Sequence, residues 1–512
     1  MKNSSISLLA IMIAAAACDL ETVPTDRYTV DSFWDTESGA EAAMSGCYNA
    51  LTGSWLFGDA APLLEETCTP NAYNYNNTGS WNTLAIGAHT SATEGVIKGR
   101  WSDAYRGIGR VNTQLNRLPG AAVSDERKRT MEGEAKFLRA LFYYMLVQYY
   151  NGVPLILDEP AYSQAALPRD DRQTVVNAIL SDLEDAARLL DWQWASANDQ
   201  GRATRGAALA LKARLLLFEA SPLMNPESDP AKWQAAADAA KAVMDGAESA
   251  GYGLFPDYRG LFLPKNEHNR EVIFNVEFSK VQNTPSNNYT VYCIQYRNNA
   301  PLLDLVNAYQ TVDGSPRMAN RYNGLDPRFY ASIYYPGCTF LGAANASAAT
   351  VCSFTGFACK KMSIYDEQAR LTGDARLGEG EMNYIFLRYA DILLMYAEAL
   401  NEVLAAPDER VFDAVNTVRS RAGISAVDPG TGKDQMREII RQERRVEFAF
   451  EGLYYNDIRR WKTIENQMNA VIKNYAGEDI AIRSFDPARD YWWPIPETER
   501  LLNKNLQQNP KY

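Results

Sequence analysis

The chain has 512 residues, with 51 Lys and Arg against 63 Asp and Glu, and a formal net charge of −12. No run of basic residues stands out, which excludes a nucleic-acid partner, because phosphate contacts call for clustered Lys and Arg. Only two histidines occur, His89 and His268, far apart and without ligand spacing, and there is no H-E-x-x-H or G-x-S-x-G, so no cofactor or metal is expected.

Lys2 and the apolar run of 12 residues from Ile6 to Ala17 read as a signal peptide, residues 1–17. The run is too short to cross a bilayer core, which takes roughly 20 apolar residues. Four alanines precede Cys18, which predicts cleavage there and lipidation of Cys18 by diacylglycerol plus an amide-linked acyl chain such as palmitate. Residues 18–30 then form a lipidated tether that opens with Asp19 and Glu21. Six further cysteines remain: Cys47, Cys68, Cys293, Cys338, Cys352 and Cys359. In an exported protein a local bridge among Cys338, Cys352 and Cys359 is one expectation, and buried thiols are the other.

Helical spacing recurs through the first half. Asp31 to Leu51 reads as one helix and Trp101 to Leu118 as another, closed by Pro119-Gly120. Ser124 caps the next, which carries Leu138, Leu141, Phe142, Met145 and Tyr149 and stops at Gly152 and Pro154. Val176 to Leu190, Leu209 to Ala220 and Trp233 to Met244 mark three more. Residues 52–97 and 255–382 are irregular, apart from a strand predicted where Val272, Phe274, Val276 and Phe278 alternate with polar residues.

Tyr384 to Arg460 is predicted to form three helices. Tyr389, Ile392, Leu393, Tyr396, Ala397 and Leu400 share one stripe, with Arg388, Asp391, Glu398 and Glu402 on a face expected in water. Val411, Phe412, Val415 and Val418 form the second stripe, after a break at Pro407. The third begins after a capping box at Thr431 to Asp434 and runs through Met436, Ile439, Ile440, Val446, Phe450 and Leu453. Glu443 and Glu447 lie on or beside that stripe among arginines, including Arg419 and Arg421. Paired carboxylates are what a glycosidase uses as acid and base, but i, i+4 glutamates amid arginines point to a structural ion network of Arg419, Arg421, Glu443 and Glu447. Gly430-Thr431-Gly432-Lys433 lacks the first Gly and the Ser/Thr of a phosphate loop.

The ligand-binding candidates lie in polar loops. Tyr73, Tyr75 and Trp81 alternate with asparagines up to Asn82, and Tyr289, Tyr292 and Tyr296 precede Arg297. Aromatic rings stack on the C–H faces of sugars, and amide side chains suit paired hydroxyls.

Six separated motifs carry a family resemblance: FWDTESGAEAAMSGCYNAL at 33–51, EAKFLRALFYYMLVQYYNGVPL at 134–155, NYIFLRYADILLMYAEALNE at 383–402, AVNTVRSRAG at 414–423, ERRVEFAFEGLYYNDIRRW at 443–461 and YWWPIPETERLLNKNLQQNP at 491–510. In this order they resemble the SusD/RagB nutrient-binding lipoproteins. The resemblance implies a mainly α fold, with four tetratricopeptide-like helical hairpins in a right-handed superhelical scaffold and a loop-rich, minor-β ligand-binding region. It implies one domain over 31–512, with an N-terminal SusD-like part at about 31–255 and a C-terminal RagB/SusD part at about 256–512. The implied role is non-catalytic: capture of an oligosaccharide, or alternatively a peptide, and its delivery to a SusC-like TonB-dependent transporter. The implied location is the outer membrane of a Gram-negative bacterium, lipid-anchored and exposed at the cell surface. An exported glycosidase using Glu443 and Glu447 is the rival from another class.

Overall fold

The computed structural model describes residues 33–279, 281, 285–318, 321–366 and 380–512. Cys18, the signal peptide and the tether lie outside the described residues. Ten helices carry the frame: α1 (Glu37–Asn49), α2 (Val96–Arg117), α3 (Asp125–Tyr150), α4 (Arg172–Leu189), α5 (Arg205–Ala220), α6 (Pro230–Asp245), α7 (Tyr389–Val403), α8 (Glu409–Ala422), α9 (Lys433–Glu447) and α10 (Tyr454–Arg460).

Local chemistry sets most of their starts. Thr36, Ser124, Asp171, Thr204, Asp229 and Asp408 each accept a backbone N–H of the first turn through a side-chain oxygen. Gly423, with φ of 76°, closes α8 in the left-handed conformation that favours glycine. The capping box expected at Thr431 to Asp434 does not form: Gly432 occupies the cap position, with no side-chain hydrogen bond. The helix beyond it ends at Glu447, short of Phe450 and Leu453, because the backbone turns left-handed at Phe450 (φ 68°) and Gly452 (φ 71°).

From α2 to α8 each helix packs on the next in the chain, and α9 packs on α7. The pairs α2–α3, α4–α5, α6–α7 and α8–α9 are the repeating hairpins, so each buries an apolar face that it could not bury alone. Residues 137–150 of α3 are buried throughout, which makes it the centre of the array. There α2 comes so close that a Cβ on Gly107 would sit 2.4 Å from the ring of Phe142. The third hairpin is split, since residues 246–388 are inserted between its two helices. That insertion holds most of the irregular structure.

Among the described residues eight short strands make four two-stranded antiparallel ladders: β1 (Ala72–Tyr73) with β3 (Ala300–Pro301), β2 (Val272–Val276) with β6 (Tyr384–Arg388), β4 (Ile333–Tyr334) with β5 (Ala358–Cys359), and β7 (Val471–Lys473) with β8 (Asp479–Ile482). The expected helix from Tyr384 therefore starts five residues later, at Tyr389. Pairing with β2 holds 384–388 extended, with Val272 opposite Arg388 and Val276 opposite Tyr384. The local cysteine bridge is not made either. Cys352 and Cys359 carry free thiols, and the cysteine beside Cys359 is Cys293, distant in sequence.

Three of the four charged residues expected in water are buried instead, Arg388 at 2% exposed, Asp391 at 0% and Glu398 at 4%, while Glu402 stays half-buried. The reason is ion pairing. Arg388 meets Glu271 and Glu447 at 2.7 Å and Glu451 at 2.7 Å. Arg328 meets Asp326 at 2.6 Å, Glu443 at 2.5 Å and Glu447 at 2.9 Å. Arg419 reaches Glu443 at 3.0 Å, Arg421 reaches Glu271 at 2.9 Å and also Glu447, and Lys361 reaches Glu451 at 2.6 Å. These five cations and the carboxylates of Asp326, Glu271, Glu443, Glu447 and Glu451 cancel in charge. Burial alone would raise the Glu447 carboxyl, but Arg421, Arg388 and Arg328 outweigh it and hold it well below the carboxylate range. A second cluster joins Asp391 to Arg214 (2.7 Å) and Arg444 (2.8 Å), and Arg460 to Glu398 (2.5 Å) and Asp457 (2.9 Å). Burial opposes ionisation of Asp391 too, yet the two guanidiniums bring its pKa down to about 2.

Two outcomes follow from these clusters. Glu447→Gln leaves three buried guanidiniums short of a counter-charge and costs about 3–5 kcal/mol in urea unfolding, whereas Lys241→Ala, in the exposed pair with Asp245, leaves the midpoint unchanged. Because the folded pKa of Asp391 lies below its unfolded value, the stability it contributes is complete above about pH 5 and is lost as pH falls towards 2. Unfolding free energy measured across that window should fall with acidification by about 2 kcal/mol for this group, and Asp391→Asn should flatten that part of the curve.

Candidate functional site

Residues 71–82 and 287–299, the two aromatic polar loops, come together. The β1–β3 ladder sets Tyr73 opposite Ala300, and the Asn298 side chain donates to Thr78 Oγ1 at 2.9 Å. Thr78 Oγ1 donates to Asn76 Oδ1 at 2.8 Å, and the buried Asn74 donates to the Thr78 carbonyl at 3.0 Å. Asn77, left-handed with φ of 55°, holds Thr83 through both ends of its amide. The turn between these contacts is thus built by asparagine side chains satisfying its backbone.

At its edge the ring of Tyr75 stacks on Phe354, with centroids 3.8 Å apart and planes 14° from parallel. Phe354 is 39% exposed, so the pair presents an apolar platform to solvent. Sequence reading missed Phe354; a large apolar ring in the polar stretch Ser353-Phe354-Thr355-Gly356 was the signal available. Tyr296 is half-buried with its ring 6.2 Å from that of Tyr292. Arg297, left-handed at φ of 55°, lies 5.5 Å from the ring of Phe340 and donates to the Thr350 carbonyl at 3.4 Å. Thr350 and Phe354 belong to one segment, so Arg297 and Tyr75 both lean on it. Exposed Asn76 and Asn77 complete this face.

Three of the predicted ligand contacts are core residues. Trp81 is fully buried, edge-on to Trp493 with centroids 6.0 Å apart and 5.5 Å from the Arg100 guanidinium. Tyr289 is equally buried, parallel to Tyr384 at 5.8 Å, and donates to the Phe57 carbonyl at 3.1 Å. Tyr292 is 6% exposed and spends its hydroxyl on Asp59 at 3.1 Å. Their neighbours in sequence are polar, but the chain folds these rings inward under the turn. Asn82 is half-buried beside Trp81 on a short helix. Tyr73, Tyr75, Tyr296 and Arg297 remain on or near the surface.

Arg419, Arg421, Glu443 and Glu447 are the ion network predicted from sequence, and it is larger than predicted, with Arg328, Arg388 and Lys361 brought in by tertiary structure. Both glutamates are at most 2% exposed, and each oxygen faces a guanidinium, so neither presents a proton or a lone pair to a substrate.

Comparison with known proteins agrees with this architecture. Residues 270–512 match the family model described as SusD family, and residues 45–217 match one described as "Starch-binding associating with outer membrane". The chain is similar over its whole length, at 26% identity, to SusD-like protein P2 of Formosa agariphila, all of which is covered. Among solved structures it resembles a SusD-like protein of Bacteroides fragilis, with a TM-score of 0.79 and 25% identity over 96% of this chain and 100% of that one. A SusD-like carbohydrate-binding protein of the same species gives a TM-score of 0.81 at 25% identity, over 93% of this chain and 100% of that one. Among the described residues no helix is long and apolar enough to cross a membrane. Stacked hairpins with a split third pair, a charge-neutral core cluster on the family's own motifs, and matches spanning both halves lead to one conclusion: the chain belongs to the SusD/RagB family.

Proposed function

We propose that this protein captures glycan at the bacterial surface without cleaving it and passes it to a SusC-like TonB-dependent outer-membrane transporter. Support for the ligand class comes from the ring pair of half-buried Tyr75 and exposed Phe354, set among Asn76, Asn77 and Arg297. Rings offer faces for sugar C–H groups, while amides and guanidinium offer hydrogen bonds to hydroxyls. The carbohydrate-binding protein of Bacteroides fragilis, alike in fold and 25% identical, points the same way. A non-catalytic role rests on Glu443 and Glu447, whose carboxylates are buried and ion-paired, so the rival glycosidase reading loses its acid and base. A platform of rings on a rigid helical array suits the holding of cargo, and neither Glu443 nor Glu447 is free to act on a glycosidic bond. Anchoring is assigned to lipid on Cys18, with residues 18–30 as the tether.

A glycan array followed by calorimetry on the best oligosaccharide tests the site. Tyr75→Ala and Phe354→Ala should each weaken binding at least about tenfold, equivalent to 1.4 kcal/mol, with unfolding little changed. Trp81→Ala should instead destabilise the fold by about 3–5 kcal/mol. Binding of peptides but of no glycan would move the site to the family's peptide-binding alternative. For the anchor, Cys18→Ala should release the protein from the membrane pellet into the soluble fraction, read by fractionation and by loss of acyl mass.

A further inference from the structure

A second aromatic cleft, sharing no residue with the face around Tyr75, opens where the α4–α5 loop meets the start of β2. It encloses about 380 Å³, a volume in the range of small-molecule sites. Two half-buried indoles, Trp192 and Trp194, line it together with Tyr252 and Arg270. Both indoles are fixed. Trp194 Nε1 donates to the carbonyls of Arg202 (3.2 Å) and Ala203 (3.1 Å), and Trp192 lies so close to Gly246 that a Cβ there would come within 2.0 Å of it.

Among the described residues, one cation lining this cleft lacks a counter-charge. The protein carries a net −12, yet no residue lining the cleft is acidic, while Arg202 and Arg270 line it. Arg202 is neutralised by Glu41, Glu134 and Asp199 at 3.1–3.3 Å. Arg270 is not: it folds over Gly253, exposed, and has no ion-pair partner among the described residues. Arg205, 5.7 Å from the Trp192 ring, donates its side-chain N–H to the carbonyls of Ala187 and Leu190. Glu277, beside the cleft, is 3.6 Å from His268 and accepts from the amides of Asn275 and Asn383. Indole faces suit a sugar ring, and an unneutralised guanidinium fork suits a planar or tetrahedral anion.

We propose that this cleft is a second saccharide subsite, selective for an anionic sugar, with Trp192 and Trp194 gripping the ring and Arg270 binding its carboxylate or sulfate ester. The assignment rests on the reading that the protein takes glycans. Calorimetry on the full mature protein tests it with three probes: an oligogalacturonide for the carboxylate, a κ-carrageenan oligosaccharide for the sulfate, and neutral laminarihexaose. One anionic probe should bind, more weakly as NaCl is raised. Arg270→Gln should weaken it roughly fivefold and Trp192→Ala about tenfold, while Tyr75→Ala leaves it unchanged. Arg270 is exposed, so its variant folds even if Trp192→Ala does not. Failure of both anionic probes to bind overturns the proposal, as does binding indifferent to Arg270→Gln. Neutral binding that depends on Tyr75, with a silent cleft, refutes the second subsite alone; no saccharide binding of any kind refutes the glycan reading as well.

Discussion

The structure depends on a buried cluster in which charge is cancelled locally. Arg388 and Glu447 are its hub, and they draw in Glu271, Glu451, Arg421 and Arg328. Each of these lies on a different segment: the approach to β2, the turn after α9, the end of α8 and a short helix near 328. Removing any one of them from water without the others would cost several kcal/mol, so the segments have to arrive together. Such a cluster contributes less to net stability than to uniqueness. It fixes how the insertion of 246–388 docks on the last two hairpins.

That docking positions the loops. The β2–β6 ladder carries the insertion back to α7, and the neighbouring β1–β3 ladder joins the 72–78 turn to 296–301. Long loops on a rigid array can vary without disturbing the frame. Here they hold one exposed ring pair and, on the α4–α5 side, a cleft with two indoles. The frame supplies orientation, and the loops supply the chemistry.

The two clusters of buried charge also explain why a pair of glutamates one helical turn apart is not a catalytic pair. A general acid needs a raised pKa and access to its substrate. Glu447 has a lowered pKa and no exposure. Proximity of carboxylates is therefore no sign of hydrolysis when every oxygen already faces a guanidinium.

Periodicity and capping residues were enough to place α2 to α6 and their order, because those helices are set by local chemistry: Ser124 and Pro119-Gly120 do their work within a few residues. That Glu443 and Glu447 share one helix face was equally legible, but the arginines they meet all come from other segments. Three features needed the tertiary fold. Tyr384 to Arg388 has a pattern that fits strand or helix, and only the partner strand β2 decides. Arg388, Asp391 and Glu398 look like a wetted face until Glu271, Arg214 and Arg460, distant in sequence, cover them. Trp81 and Tyr289 resemble Tyr75 in composition of surroundings, yet they fold inward, while Phe354 arrives from a remote turn to complete the platform. A chain encodes its helices nearest-neighbour by nearest-neighbour, whereas burial of a charge or exposure of a ring is a property of what packs against it.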